Sequence, residues 1–174
     1  MASYVQNILM IDEDHIQAVC QFIRQKERIF DFNAIYPLPS VDMTPEEKIK
    51  CWGTKGNAIN AVFHEEDGAF SFQTLNAAPV PVIEGLAERF PDCTFTFCWA
   101  DEGGGNCGEI LYEHGHESYA FYPDDGTAEQ EELYQQCWGQ SMYYMEGGIH
   151  HAKISQEIYR SYEGMQLCGK TRYE

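Results

Sequence analysis

Positive charge is scarce in this chain. Lys and Arg together number 11 against 28 Asp and Glu, giving a formal net charge of −17 and an isoelectric point near 4.5. A field of that sign repels nucleic acid and anionic membranes, so neither is expected as a direct partner. There is no run of about 18 apolar residues, so no transmembrane helix is expected. Met1-Ala2-Ser3-Tyr4 runs straight into a strand-like pattern, with no basic region followed by an apolar one. No signal peptide is therefore expected, and the cytoplasm is the expected compartment.

Chemistry-bearing motifs are equally sparse. The seven cysteines, at 20, 51, 93, 98, 107, 137 and 168, form no Cys-x-x-Cys. In a chain without a secretion signal, that odd and scattered set reads as reduced, core-filling thiols. Asp101-Glu102-Gly103-Gly104-Gly105 is no phosphate loop, because it sets two negative charges where a phosphate would sit and lacks the Walker lysine. No Ser–His–Asp or Cys–His arrangement can be argued from the order of residues. His114, His116, Glu117, His150 and His151, with Asp101 and Glu102, supply enough ligand types for a metal. Their spacing matches no zinc pattern, so no metal and no cofactor are expected.

What is present is enough to build a core. The 174 residues are 44% hydrophobic and 14% aromatic, a size that fits one domain with an extension. Residues 4–11 are short and mostly apolar, a central-strand pattern. Asp12-Glu13-Asp14 then opens a helix expected over 13–26, with Ile16, Val19, Cys20 and Ile23 as its buried stripe and Arg24, Lys26 and Arg28 at its far end. Residues 29–36 read as extended, up to Pro37-Leu38-Pro39. Thr44-Pro45 caps a short helix expected to reach about Cys51. Residues 58–64 and 69–76 alternate across Glu65-Glu66-Asp67-Gly68 as a hairpin. Val82, Ile83, Leu86 and Phe90 mark a helix stopped by Pro91, and Phe95, Phe97 and Trp99 share one side of the next strand. A further hairpin spans 108–122. Beyond Pro123 the pattern turns helical, with Thr127 and Gln130 at capping-box spacing and a last helix expected around Ile154, Ile158, Tyr162 and Met165.

Strand, helix, long insertion, two strands, helix, strand is the split βαβ order of a ferredoxin-like α+β fold: an antiparallel sheet with two helices on one face. The expected organisation is a ferredoxin-like domain over 1–123, including the extra hairpin, and a helical C-terminal extension over 124–174 packed on it.

One stretch concentrates polar and aromatic residues before a strand: Trp52-Gly53-Thr54-Lys55-Gly56-Asn57. Trp52 as platform, Lys55 as cation and Asn57 as bidentate amide could form a recognition site. Alternatively, Trp52 caps the core and Lys55 pairs with an acid such as Asp101 or Glu102. The candidate binding residues are Trp52, Thr54, Lys55, Asn57, Asp101 and Glu102; no catalytic set is proposed.

Asp31-Phe32-Asn33 leading to Pro37-x-Pro39, then Trp52-Gly53-Thr54-Lys55-x-Asn57-Ala58, Phe72-x-Thr74, Pro79-x-Pro81, Phe90-Pro91 and Asp101-Glu102-Gly103 together resemble the YubB ferredoxin-like family. Those are small proteins of phages, plasmids and other mobile elements. The resemblance covers about residues 4–122. Where that family's pattern sets a second aromatic after the lysine, this chain has Gly56. The resemblance implies the fold and a mobile-element origin, and it implies no activity. With the acidic balance, it leads to a non-enzymatic accessory protein that docks on a host protein, a basic nucleic-acid-binding one such as a defence nuclease, and inhibits it. The alternative is a binder or hydrolase of a small, nucleotide-like molecule, with its pocket formed by Trp52, Lys55, Asn57 and the 101–106 loop.

Overall fold

The computed structural model describes residues 3–139. The expected helix around 154–165 and His150 and His151 lie outside the described residues. Six strands are described: β1 Tyr4–Ile11, β2 Ile59–His64, β3 Ala69–Leu75, β4 Phe95–Asp101, β5 Cys107–Glu113 and β6 His116–Phe121. They form one sheet in the order β2-β3-β1-β4-β5-β6, with every neighbouring pair antiparallel. The first four strands reproduce the ferredoxin-like order, and the β5–β6 hairpin extends the sheet beyond β4.

Helices α1 (Ile16–Ile23) and α4 (Val80–Arg89) cover the same face. Val19 and Ile23 of α1 and Val82, Ile83 and Leu86 of α4 are buried there against Val5, Leu9, Phe95 and Phe97. Phe22 and Phe90 join the two helices edge to face, with centroids 5.4 Å apart. An aromatic cluster fills the neighbouring space: the rings of Phe30 and Phe72 stack at 4.6 Å, and Phe32 meets Phe72 edge-on at 6.0 Å. Such pairs are worth about 0.5–1.5 kcal/mol each beyond the area they bury.

The opposite face is covered by α5 (Ala128–Trp138), whose Leu133, Tyr134, Cys137 and Trp138 are buried on Ile8, Ala69, Cys98, Ala100 and Cys107. Trp138 Nε1 donates to the Ala100 carbonyl at 2.9 Å. Thr127 caps this helix by accepting from the Gln130 amide, as the capping spacing predicts. The sheet centre is thus buried on both faces, which explains why β3 has no exposed residue.

Two expectations need correction. Helix α1 is shorter than 13–26: it starts at Ile16 and ends at Ile23, with Arg24 already extended. Lys26 takes a left-handed φ of 50° in a tight turn that bonds Gln25 to Arg28, and the Asp31 amide donates back to the Ile23 carbonyl. The turn sends Phe30 and Phe32 into the core, a burial that outweighs continued helix. Residues 29–36 are not extended throughout, because Phe32–Ile35 forms the short helix α2, capped by the Asp31 carboxylate on the Asn33 amide. Helix α3 (Pro45–Trp52) has the full capping box between Thr44 and Glu47. The six described cysteines are free thiols.

Candidate functional site

The Trp-Gly-Thr-Lys turn follows α3. Gly53 ends that helix at φ 78°, and a Cβ there would lie 2.8 Å from Pro81 Cδ. Both the left-handed backbone and the close approach require glycine. Trp52 is 2% exposed; its Nε1 donates to the Tyr36 carbonyl at 2.8 Å and its ring meets Phe32 edge-on. Thr54 is fully buried and donates its hydroxyl to the Leu75 carbonyl at 2.8 Å. Asn57 Oδ1 accepts the amides of Phe32 and Ala58, while its Nδ2 donates to Asp31 Oδ1 at 2.7 Å. These three side chains are spent tying α3, α2 and the end of β3 together. Lys55 alone is exposed, and it forms no ion pair among the described residues. The pairing of Lys55 with Asp101 or Glu102 does not occur.

Both acids have other work. Asp101 Oδ1 accepts the amides of Gly104, Gly105 and Asn106 at 3.0, 3.1 and 3.2 Å, which folds the 101–106 loop around one carboxylate. The Tyr134 hydroxyl of α5 donates to the same oxygen, and its acidity is suppressed by burial and by that carboxylate. Glu102 Oε1 accepts the Tyr4 amide at 2.9 Å, and the Glu102 amide donates to the Tyr4 carbonyl. Turn and loop lie at one end of the sheet, where Tyr4 pairs with Leu75 and Val5 with Asp101. Their polar groups bond to neighbouring segments, Thr54 to the Leu75 carbonyl and Glu102 to the Tyr4 amide.

The described residues noted in the sequence for their ligand types lie in two separate places. His114 stands in the β5–β6 turn at φ 55°, and Asp101 and Glu102 are committed to the loop. A different set comes together at the other end of the sheet: Asp12, His15 and Cys93 have ligand atoms within 4.8 Å of one another. Local structure accounts for it. Asp12 Oδ1 accepts from the His15 amide and Nδ1, the latter at 2.6 Å, and Oδ2 accepts the Thr94 amide at 2.6 Å. Burial alone pushes the Asp12 carboxyl up, but bonds from His15, Thr94 and Cys93 and the His15 charge outweigh it and hold it below its ordinary value. Burial, then the hydrogen bond and charge of Asp12, push the Cys93 thiol up to about 12. This thiol is no nucleophile at neutral pH.

The cleft of interest lies between α4 and the β5–β6 hairpin. It measures about 180 Å³ and is lined by Glu84, Glu88, Tyr112, Gly115, His116 and Glu117. Helix α4 buries Val82, Ile83, Leu86 and Ala87, which leaves Glu84 and Glu88, one turn apart, on its outer side. The hairpin turn rests against the end of α4: a Cβ on Gly115 would lie 3.3 Å from Pro91 Cβ and 3.6 Å from the Ala87 carbonyl. That contact brings His116 and Glu117 across from Glu84. The Glu84 carboxyl is pushed up by partial burial, then by the charges of Glu117 and Glu88. Tyr112 is fully buried, and its hydroxyl has no hydrogen-bond partner. Burial, then the charges of Glu84 and Glu117, suppress its ionisation. A concave site of one sign with an unsatisfied hydroxyl is suited to a cation with N–H donors. Sequence reading singled out His116 and Glu117 but missed Glu84, Glu88 and Tyr112. The available signal was two acids at i and i+4 on an exposed helix face, a repulsive pair with no basic residue three or four positions from either.

Comparison with known proteins places the fold. No curated protein matches the chain. Among solved structures, the crystal structure of the protein Api92 from Yersinia pseudotuberculosis is similar, at 16% identity and a TM-score of 0.45. The alignment covers 56% of this chain and 40% of that one. A family model described as the ferredoxin-like domain in Api92-like protein matches residues 52–141. That span begins at Trp52, runs through β2, β3, α4, β4 and the added hairpin, and continues through α5. It covers more than half of the chain, which therefore belongs to the family of ferredoxin-like domains of Api92-like proteins.

Proposed function

We propose that this is a non-enzymatic, acidic binding protein: an accessory factor of a mobile genetic element that docks on a basic host protein and inhibits it. The partner class is a nucleic-acid-binding protein, with a defence nuclease as the type case. The mobile-element origin rests on the YubB-like motifs in residues 4–122. The docking rests on one observation. Among the described residues the ion pair within 4.0 Å is His15 with Asp12, so no described Lys or Arg neutralises an acid at contact distance. Glu13, Asp14, Glu46, Glu47, Glu65, Glu66, Asp67, Glu84, Glu88, Asp124 and Asp125 are all exposed. Their field is projected outward, where it steers a basic surface and competes with the phosphates that surface normally grips.

The test is affinity capture from host lysate at low and high salt, with the captured proteins identified. A basic nucleic-acid-binding protein held at low salt and released at high salt supports the reading, and its nuclease activity should fall on binding. Capture indifferent to salt overturns it. Neutralising Glu65, Glu66 and Asp67, or Asp124 and Asp125, should mainly slow association and flatten its salt dependence. A nucleotide-like ligand or substrate at the Trp52 turn has less support, since Trp52 and Asn57 are occupied internally. A thermal shift with nucleotides would restore that alternative.

A further inference from the structure

The acidic surface takes a concave shape at the cleft between α4 and the β5–β6 hairpin. Glu84 and Glu88 form one wall, His116 and Glu117 the other, and Tyr112 lies between them. Three carboxylates around a cleft would carry little on their own, because solvated acids are common on a chain of this charge. The Tyr112 hydroxyl is the second observation. Its residue is fully buried and its oxygen lacks any partner, although a buried hydroxyl normally has one. An unsatisfied buried polar group is costly, so a ligand that satisfies it recovers that cost.

The dimensions and the spread of the acids select the ligand. A cleft of about 180 Å³ is too small for a nucleotide or a drug-sized molecule, which occupy roughly 300–1,000 Å³. It is large enough for the end of one side chain. Among the described residues the cleft acids form no group of three ligand atoms within 4.8 Å, so they lack the converging set that a bare metal ion needs. Carboxylates on two facing walls, with a hydroxyl between, suit a flat cation with several N–H donors pointing in fixed directions. Guanidinium has five, whereas an ammonium is a compact point charge. His116 adds to this: its Nδ1 must donate to the His114 carbonyl at 3.0 Å, so the neutral ring keeps Nε2 as an acceptor.

We infer that this cleft is a binding site for the guanidinium of an arginine side chain from a protein partner. The Tyr112 hydroxyl accepts one N–H, and Glu84, Glu88 and Glu117 balance the charge. The inference deepens the docking reading and rests on it for the source of the arginine. It also assigns a role to the added hairpin, since without β5 and β6 the outer side of α4 would have no facing wall.

The probe is Nα-acetyl-arginine methylamide, titrated into the full chain and followed by amide NMR shifts, with the citrulline and lysine counterparts as controls. Saturable shifts confined to residues 84–88 and 112–117 are expected for arginine. Several-fold weaker binding is expected for lysine and none for neutral citrulline. Glu84→Gln with Glu117→Gln should abolish the shifts. Glu65→Gln with Glu66→Gln, between β2 and β3 at the opposite edge of the sheet, should leave them unchanged. Tyr112→Phe should weaken binding about tenfold, the worth of one hydrogen bond to a charged group, while the melting temperature stays the same or rises. Shifts spread over both acidic patches, equal binding of citrulline, or unaltered affinity in Tyr112→Phe would overturn the assignment. The two readings fail separately. Arginine saturating the cleft while no basic protein is captured removes the docking reading and keeps the site. Capture undiminished by Glu84→Gln with Glu117→Gln does the reverse.

Discussion

The Tyr134 hydroxyl donates to Asp101 Oδ1, the same oxygen that gathers the amides of Gly104, Gly105 and Asn106. One atom therefore connects α5 to the loop after β4. The loop is wound around its own carboxylate and held from outside by the helix.

Replacing Tyr134 with Phe removes that link without emptying the space beneath the helix. A loss of about 1.5–3 kcal/mol is expected, the range for a hydrogen bond to a charged group. Chemical denaturation measures it, and amide exchange should quicken at residues 103–106 before anywhere else.

The turn at 52–57 separates into scaffold and surface. Asn57→Ala strips the Phe32 and Ala58 amides and the Asp31 carboxylate of a partner, and should cost about 1–3 kcal/mol. Trp52→Ala should cost roughly 3–5 kcal/mol. Lys55→Ala should stay within about 0.5 kcal/mol of the parent. If Asn57→Ala melts with the parent protein, the bonding described for this turn is wrong.

Gly108 lies in β5 under the indole of Trp99. A Cβ there would come 2.5 Å from Trp99 Cζ2, with the ring itself stacked on Phe97 at 5.4 Å. Gly108→Ala should destabilise by about 1–3 kcal/mol and alter the near-ultraviolet circular dichroism of the tryptophans.

Asp12 sets an acid limb of stability. Its folded-state carboxyl titrates below the ordinary value of 3.8. Its contribution is therefore complete above that pH and is lost as pH falls through the lower, folded-state value. Asp12→Asn should lower stability at neutral pH and flatten the acid limb of a stability–pH curve. An unchanged acid limb would show that the bonds from His15 and Thr94 do not hold in solution.

Elements written in local pattern were legible before any coordinates. Alternation over 58–64 and 69–76, Thr44-Pro45 ahead of α3, Thr127 three residues before Gln130 and Pro91 after α4 each depend on neighbours in the chain. They sufficed for the order of strands and helices, and right-handed connectivity then leaves few sheets that such an order can form. The end of α1 and the helix at Phe32 were not legible. Local propensity there yields to the burial of Phe30 and Phe32, which depends on partners in β3.

Composition by itself determined that this protein is strongly acidic, and periodicity that it is an α+β sheet with two helices on one face. Tertiary structure alone decided which polar residues are spent inside. Asn57 and Thr54 resemble exposed turn residues in sequence, yet their bonds run to Asp31 and Leu75. It also decided which acids converge. Glu84 and Glu117 lie on a helix and a hairpin far apart in the chain, and no local rule relates them. They face each other because the His114–Gly115 turn rests on Pro91, a contact settled only when hairpin and helix pack.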